Sequence, residues 1–302
     1  MSAARVSARA LAALVSGAVL IGFAPIFVRL TDVGLTACAF WRTVLALPPL
    51  AALMLRETGG VDVAKPGIGW LFLAGGFFAG DLVFWHQAIH ASSVANATLI
   101  TNLAPAFVAA ASFLLFGERY RYAFIVGIAL ALTGAVVLMS GSLRLGREHL
   151  LGDLMALVSA LFYAGYILGV SRARQRCGAM EVMFWATLGS AAILGVLAWL
   201  QGDVMLPASW RGWMILLALA LLSHVGGQGL IAWAMAHLSA AFSAVGLLVQ
   251  PVAAAVFAWL LLAEPFGARQ LLGGAIVLAG IVTCRLAMPA APVKAHPLAA
   301  DA

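Results

Sequence analysis

Between Arg9 and Arg29 the chain runs for 19 residues without a charge, and apolar stretches of this length recur almost to its end. A helix of roughly 20 apolar residues matches the hydrocarbon thickness of a bilayer. Ten such stretches are read, near 10–30, 34–55, 67–90, 93–116, 121–141, 152–171, 181–200, 211–236, 240–263 and 268–287. In lipid each must satisfy its own backbone hydrogen bonds, so each is predicted to be a helix; the alternating pattern of barrel strands is absent. Only 9% of the residues are charged, against roughly 25% in soluble domains. The expected fold class is an all-α integral membrane protein with ten transmembrane helices.

Arg5 and Arg9 ahead of an apolar run also resemble a secretory leader. The run is long enough to span, and the repeat described below needs it, so it is read as the first helix. The net charge of +6 is spread over short connections with no basic cluster among aromatics, which argues against a nucleic-acid partner. Cys38, Cys177 and Cys284 are scattered, so no disulfide framework, metal site or cofactor is expected.

Lys and Arg set the expected orientation. With the amino terminus cytoplasmic, Arg5, Arg9, Arg56, Lys65, Arg119, Arg121, Arg172, Arg174, Arg176, Arg285 and Lys294 lie inside, which is 11. Arg29, Arg144, Arg147, Arg211 and Arg269 lie outside, which is 5; Arg42 falls within a span. Both termini are therefore placed in the cytoplasm, and the protein in the cytoplasmic (inner) membrane with lipid as its main contact.

The chain repeats itself. Pro105 to Glu118 and Pro251 to Glu264 are both separations of 13, and the offset of 146 that relates them also pairs Gly80 with Gly226, Gly127 with Gly273 and Gly134 with Gly280. Phe40-Trp41 and Phe184-Trp185 correspond with a small gap. This divides the chain into a tail at 1–9, five-span halves at 10–141 and 152–287, and a disordered tail at 288–302. An odd number of spans per half makes the second half enter from the opposite side, the inverted arrangement of many secondary transporters.

With these residues in place, the sequence resembles the drug/metabolite transporter superfamily, in particular its ten-helix EamA-type members. The likeness rests on Phe40-Trp41-Arg42, the Ala-rich stretch from Ala91 to Ala97, the paired Pro…Glu segments, Gly152-Asp153-Leu154 and Trp233-Ala234. It implies two inverted five-helix halves around a central cavity, and export or exchange of amino acids, other metabolites or drugs. Arg42 corresponds to Ala186, so the halves differ chemically.

Asp81 is the one acid in the interior of any span. A carboxylate there can carry a proton, receive a substrate ammonium, or form a buried structural pair, for instance with Arg42. His224 and Gln228 are four residues apart on one helix face, with Gly226, Gly227 and Gly229 around them, and the repeat sets them opposite Asp81 across a shared cavity. Arg42 can snorkel toward the interface, which is favoured, or bind a substrate carboxylate. Asn102 and Gln250 stand beside Pro105 and Pro251; these prolines and Pro25 are expected to kink their helices. Trp41, Trp85, Trp185, Trp233 and Tyr163 are the aromatic candidates for the cavity wall, with Trp85 and Trp233 preferred, while Trp210 and Trp213 read as interfacial anchors. The glycines at 127, 134, 273 and 280 read as helix packing or as a homodimer contact.

The chain has no phosphate-binding glycine loop, no H-E-x-x-H and no G-x-S-x-G, so an enzyme is not expected. The expected function is secondary transport of a small organic metabolite such as an amino acid, with proton coupling at Asp81 as a further expectation. The alternatives are a multidrug efflux carrier, a channel or a membrane sensor.

Overall fold

The computed structural model describes residues 8–60, 67–92, 94–141, 143, 146–263 and 266–288, the side chains of 94 and 95 excepted. Arg5, Lys65, Arg144, Glu264, Lys294 and most of both tails lie outside the described residues. Ten helices are long and apolar enough to cross a membrane: α1 (Ala8–Leu30), α2 (Leu35–Thr58), α3 (Ile68–Ala91), α4 (Asn96–Phe116), α5 (Tyr122–Met139), α6 (Arg147–Ala173), α7 (Ala179–Leu200), α8 (Trp210–Ala234), α9 (Ala240–Leu262) and α10 (Ala268–Ala287). No strand occurs among the described residues. The expected all-α, ten-span membrane fold is present, and the largest change at a span's start is at α6, which begins at Arg147 and not at 152.

Local chemistry sets the helix ends. Ser209 and Ser239 cap α8 and α9, their hydroxyls accepting from the Gly212 and Phe242 amides at 3.1 and 3.3 Å. The chain leaves α2 and α4 through left-handed glycines, Gly59 at φ 73° and Gly117 at φ 67°. α9 ends the same way through Ala263 at φ 53°, the one non-glycine in that region among the described residues.

Four spans break just ahead of a proline, which lacks the amide that would continue the ladder. α1 breaks at Gly22–Phe23 before Pro25, α4 at Asn102–Leu103 before Pro105, and α9 at Leu247–Leu248 before Pro251. These are the three expected kinks. A fourth, at Leu45–Ala46 before Pro48 in α2, adds to them. α8 has no proline, yet Leu219–Gln228 is wound as a wider π-helix, a form that recurs at functional sites.

Glycines set the close packing between spans. A Cβ on Gly17 of α1 would stand 2.7 Å from the Gly227 carbonyl of α8, and one on Gly80 of α3 would overlap the Phe162 ring of α6. Gly127 and Gly134 of α5 face Gly280, Cys284, Gly273 and Val277 of α10, where added Cβ atoms would fall within 3 Å of the opposing backbone. This seam joins two helices of one chain. Of the two readings of these glycines, packing between helices of one chain is the one seen.

The ends of α2 and α7 hold each other. Near the start of α1, the Glu57 carboxylate accepts from the Ala179, Met180 and Glu181 amides at 2.9, 2.8 and 3.2 Å. Arg174 donates there to the Ala232 carbonyl at 2.8 Å and to that of Cys177. Burial lowers its pKa, and the nearby Glu57 carboxylate opposes the shift. At the opposite end, the Asp203 carboxylate accepts from the Ala37 amide at 2.8 Å, and the Trp41 indole donates to the Met205 carbonyl at 2.6 Å. α2 and α7 thus run antiparallel.

Candidate functional site

A cavity opens where the kinks of α1, α4 and α9 converge on α3 and α6, with about 100 Å³ of space open to water. Nine of the side chains expected from sequence line it: Pro25, Arg42, Asp81, Trp85, Asn102, Tyr163, Gln228, Gln250 and Pro251. Residues far apart in sequence meet here because the broken helices turn their polar positions inward at the same depth.

Asp81 is 7% exposed, and its Oδ1 accepts from Ser159 Oγ of α6 at 2.7 Å. Thr101 of α4 is 3.2 Å from that same serine hydroxyl. Thr101 also lies 3.5 Å from the Ala156 carbonyl, and Ser159 thus links α4 through α6 to α3. No ion pair within 4 Å joins Asp81 to Arg42 among the described residues, although their charges interact. The structural-pair reading is therefore not realised as a direct contact.

Arg42 does not snorkel. It is 5% exposed, its guanidinium lies 5.5 Å from the centre of the Phe78 ring, and it lines the cavity. The reason is geometric: α2 continues past Arg42 into the Leu45–Ala46 break and packs against α7, so the side chain is enclosed by protein and not by lipid. Its Nε is buried without a hydrogen-bond partner. The same is true of Asn102 Nδ2 and Thr98 Oγ1 on α4, both on residues of the cavity wall.

The far wall belongs to the second half. Ser159, Tyr163 and Tyr166 form a stripe along α6. Gln250 Nε2 donates to Tyr163 Oη at 3.4 Å, and Tyr166 Oη donates to Gln228 Oε1 at 3.5 Å. One polar face of α6 is thereby tied to α3, α8 and α9.

Five expected residues are placed elsewhere. His224 is buried, but it pairs with Thr187 of α7 at 2.8 Å and packs on Phe78; that hydrogen bond holds the ring between helices and off the cavity surface. Trp233 lies beyond the π-segment, is 37% exposed and packs on His237. Pro105 is buried in α4, off the cavity lining, just after the Asn102–Leu103 break. Trp41 and Trp185 are also off the wall: Trp41 holds the Met205 carbonyl and Trp185 packs on Phe72. Trp213 packs edge-on against Trp41 at 4.8 Å and is no free anchor, whereas Trp210 is exposed as expected.

The sequence reading missed Ser159, Tyr166, Thr98, Thr101 and Phe78. Two of its patterns carried the signal. Thr98, Thr101 and Asn102 fall at helical spacing on one face of α4, and Ser159, Tyr163 and Tyr166 do so on α6. Phe78 had no signal among so many apolar neighbours.

A family model places this arrangement among known proteins. The model of the EamA-like transporter family matches twice, over residues 8–140 and again over 150–285. The chain belongs to the EamA-like transporter family. Among EamA-like relatives, the pseudopaline exporter CntI of Pseudomonas aeruginosa (strain UCBPP-PA14) is 27% identical over 245 residues, 81% of this chain and 83% of that protein. The aromatic amino acid exporter YddG of Ancylobacter novellus is 30% identical over 161 residues, 45% of this chain and 56% of that one. A solved crystal structure superposes on this EamA-like chain with a TM-score of 0.77, covering 92% of this chain and 96% of that one at 21% identity. That likeness is one of fold.

Proposed function

We propose that this multi-pass membrane protein is a secondary active exporter or exchanger of small organic metabolites such as amino acids. It works by alternating access between two inverted halves, 10–141 and 152–287. The observation that carries the reading is the cavity itself. Polar side chains from both halves converge inside the spans, three of them with unpaired buried atoms. Lipid tolerates such groups only where protein or water covers them, and a polar cavity between halves is what a moving barrier requires. The exporter names of the two relatives support a small-molecule substrate.

With the termini cytoplasmic and the protein in the inner membrane, Arg42, Asp81 and Thr98 fall in the outer half of their spans, and the Glu57–Arg174 cluster lies at the cytoplasmic end. Helix caps tie α2 to α7 at both ends of the pair, Glu57 at the inner end and Asp203 at the outer. Breaking and remaking such caps at alternate ends moves the barrier.

The test is counterflow in proteoliposomes, with labelled amino acids outside and unlabelled ones inside. A carrier accumulates label transiently and saturates. A channel passes substrate without counterflow, and a sensor moves nothing; either result rejects the proposal. Uptake of hydrophobic cations and no amino acid identifies the multidrug alternative.

A further inference from the structure

Resting on that reading, we propose that Arg42 is the anchor for a substrate carboxylate, and that the cavity takes zwitterions, with the substrate ammonium directed to Asp81. Arg42 is the unusual group in this fold. A guanidinium carries five donors in a planar fork, and burying its charge without a partner is costly. Here it is 95% buried, with 5% exposure, and among the described residues it makes neither an ion pair nor a side-chain hydrogen bond. The Phe78 ring, 5.5 Å away, offers a cation–π contact, which leaves the in-plane donors free. A carboxylate is the complement of that fork.

Two neighbours sharpen the assignment. Asn102 Nδ2 and Thr98 Oγ1 are also buried and unpartnered on the same wall, so further donors are available to an anionic group. Asp81 lines the same space with a carboxylate held by one hydroxyl, Ser159 at 2.7 Å. A simple anion would meet Arg42 but suffer repulsion from Asp81, and a simple cation the reverse. A zwitterion satisfies both poles, and the loaded cavity then gains no net charge.

The repeat shows that both poles come from one half. Offset by 146, Asp81 corresponds to Gly227; upstream, where a small gap makes the offset 144, Arg42 corresponds to Ala186. Both counterparts are spent on packing, Gly227 against Ile21 and Ala186 against Gly75. The second half supplies the neutral amides Gln228 and Gln250 instead. The first half thus fixes the charged head of the substrate, and the second half faces what remains of it.

The test uses the purified full-length protein in detergent and the twenty common amino acids, each beside its amide, which keeps the ammonium and lacks the carboxylate. Binding is read by thermal shift and then calorimetry. At least one free amino acid is expected to bind, with its amide about 30-fold weaker or more, the usual scale for losing one partner of a buried charge pair. Equal binding of acid and amide, or no binding by any free amino acid, overturns the proposal. Arg42→Gln separates anchoring from packing. It is expected to abolish the ligand shift while the melting temperature of the unliganded protein stays level or rises, because a buried charge with no directly bonded partner is removed. A lower unliganded melting temperature with the ligand shift intact assigns Arg42 to packing and overturns the proposal; if both are lost, the acid–amide comparison on the unaltered protein decides. Counterflow of carboxylate-free amines would reject this anchor and leave the transporter reading standing. Arg42-dependent binding without counterflow would do the reverse.

Discussion

Glu57 and Asp203 cap each other's helices. The Glu57 carboxylate, near the end of α2, receives three amides from the start of α7. The Asp203 carboxylate, just past the end of α7, receives the Ala37 amide in the first turn of α2. They are 146 residues apart, since 203 − 57 = 146, the offset that also relates the two proline segments. The first amides of a helix have no partner within it, and an anion there also favours the helix dipole.

Removing either cap should destabilise the fold. Glu57→Ala and Asp203→Ala are each expected to cost about 1–2 kcal/mol, with Glu57 the larger because it holds three amides to Asp203's one. The sites sit at opposite ends of the pair, so the double variant should be additive within about 0.5 kcal/mol. Reversible unfolding in mixed micelles measures all three. Strong non-additivity would mean that the two ends are energetically linked through the body of the helices.

Asp81→Asn tests proton coupling. Asp81 accepts from Ser159 and shares the cavity with Arg42 and Tyr163. Asparagine keeps an acceptor for the serine but cannot exchange a proton. Flux driven by a pH gradient is expected to vanish, while counterflow persists at a raised half-saturating concentration because the substrate ammonium loses its carboxylate. An unchanged response to the gradient would remove Asp81 as the coupling group.

The glycine seam between α5 and α10 should tolerate little. A Cβ on Gly273 would lie 2.3 Å from the Leu138 amide nitrogen, whereas one on Gly76 of α3 meets only the end of Ile193 at 3.7 Å. Gly273→Ala is expected to cost about 1–3 kcal/mol through forced backbone separation. Gly76→Ala should be neutral or stabilising by up to about 1 kcal/mol through helix propensity. Melting temperatures of the two variants should move in opposite directions or differ by the full seam penalty.

Ala263 offers a stabilising change. It holds the left-handed position at the end of α9 that Gly117 holds at the end of α4, φ 53° against 67°. Replacing it by glycine removes a Cβ clash at the cost of chain entropy, for a net gain of about 0.5–1 kcal/mol. Gly117→Ala should lose a similar amount. A thermal scan that found Ala263→Gly less stable than the unaltered protein would show that the strain is absorbed elsewhere.

Much of this was legible in the linear chain. Length and apolarity located ten spans, and Pro25, Pro105 and Pro251 marked three of the four proline-linked breaks. The repeat offset of 146 also relates Gly117 to Ala263, since 263 − 117 = 146. Pro48 lies near the middle of its apolar span, where apolarity alone marks no break. The wide turn at Leu219–Gln228 had no local signal beyond its glycines, because a π-segment is decided by what the neighbouring helices leave room for.

The sequence by itself determined where the chain crosses the membrane and how its two halves correspond, because both depend on the order of apolar and polar residues along one helix. Only the tertiary structure decided that Arg42 is enclosed over Phe78, that His224 belongs to Thr187, and that Trp233 stays off the cavity wall. In lipid a helix is apolar all round, so hydrophobicity does not separate the face that meets acyl chains from the face that meets protein. That choice is made by packing, through glycine contacts and hydrogen bonds between residues distant in sequence.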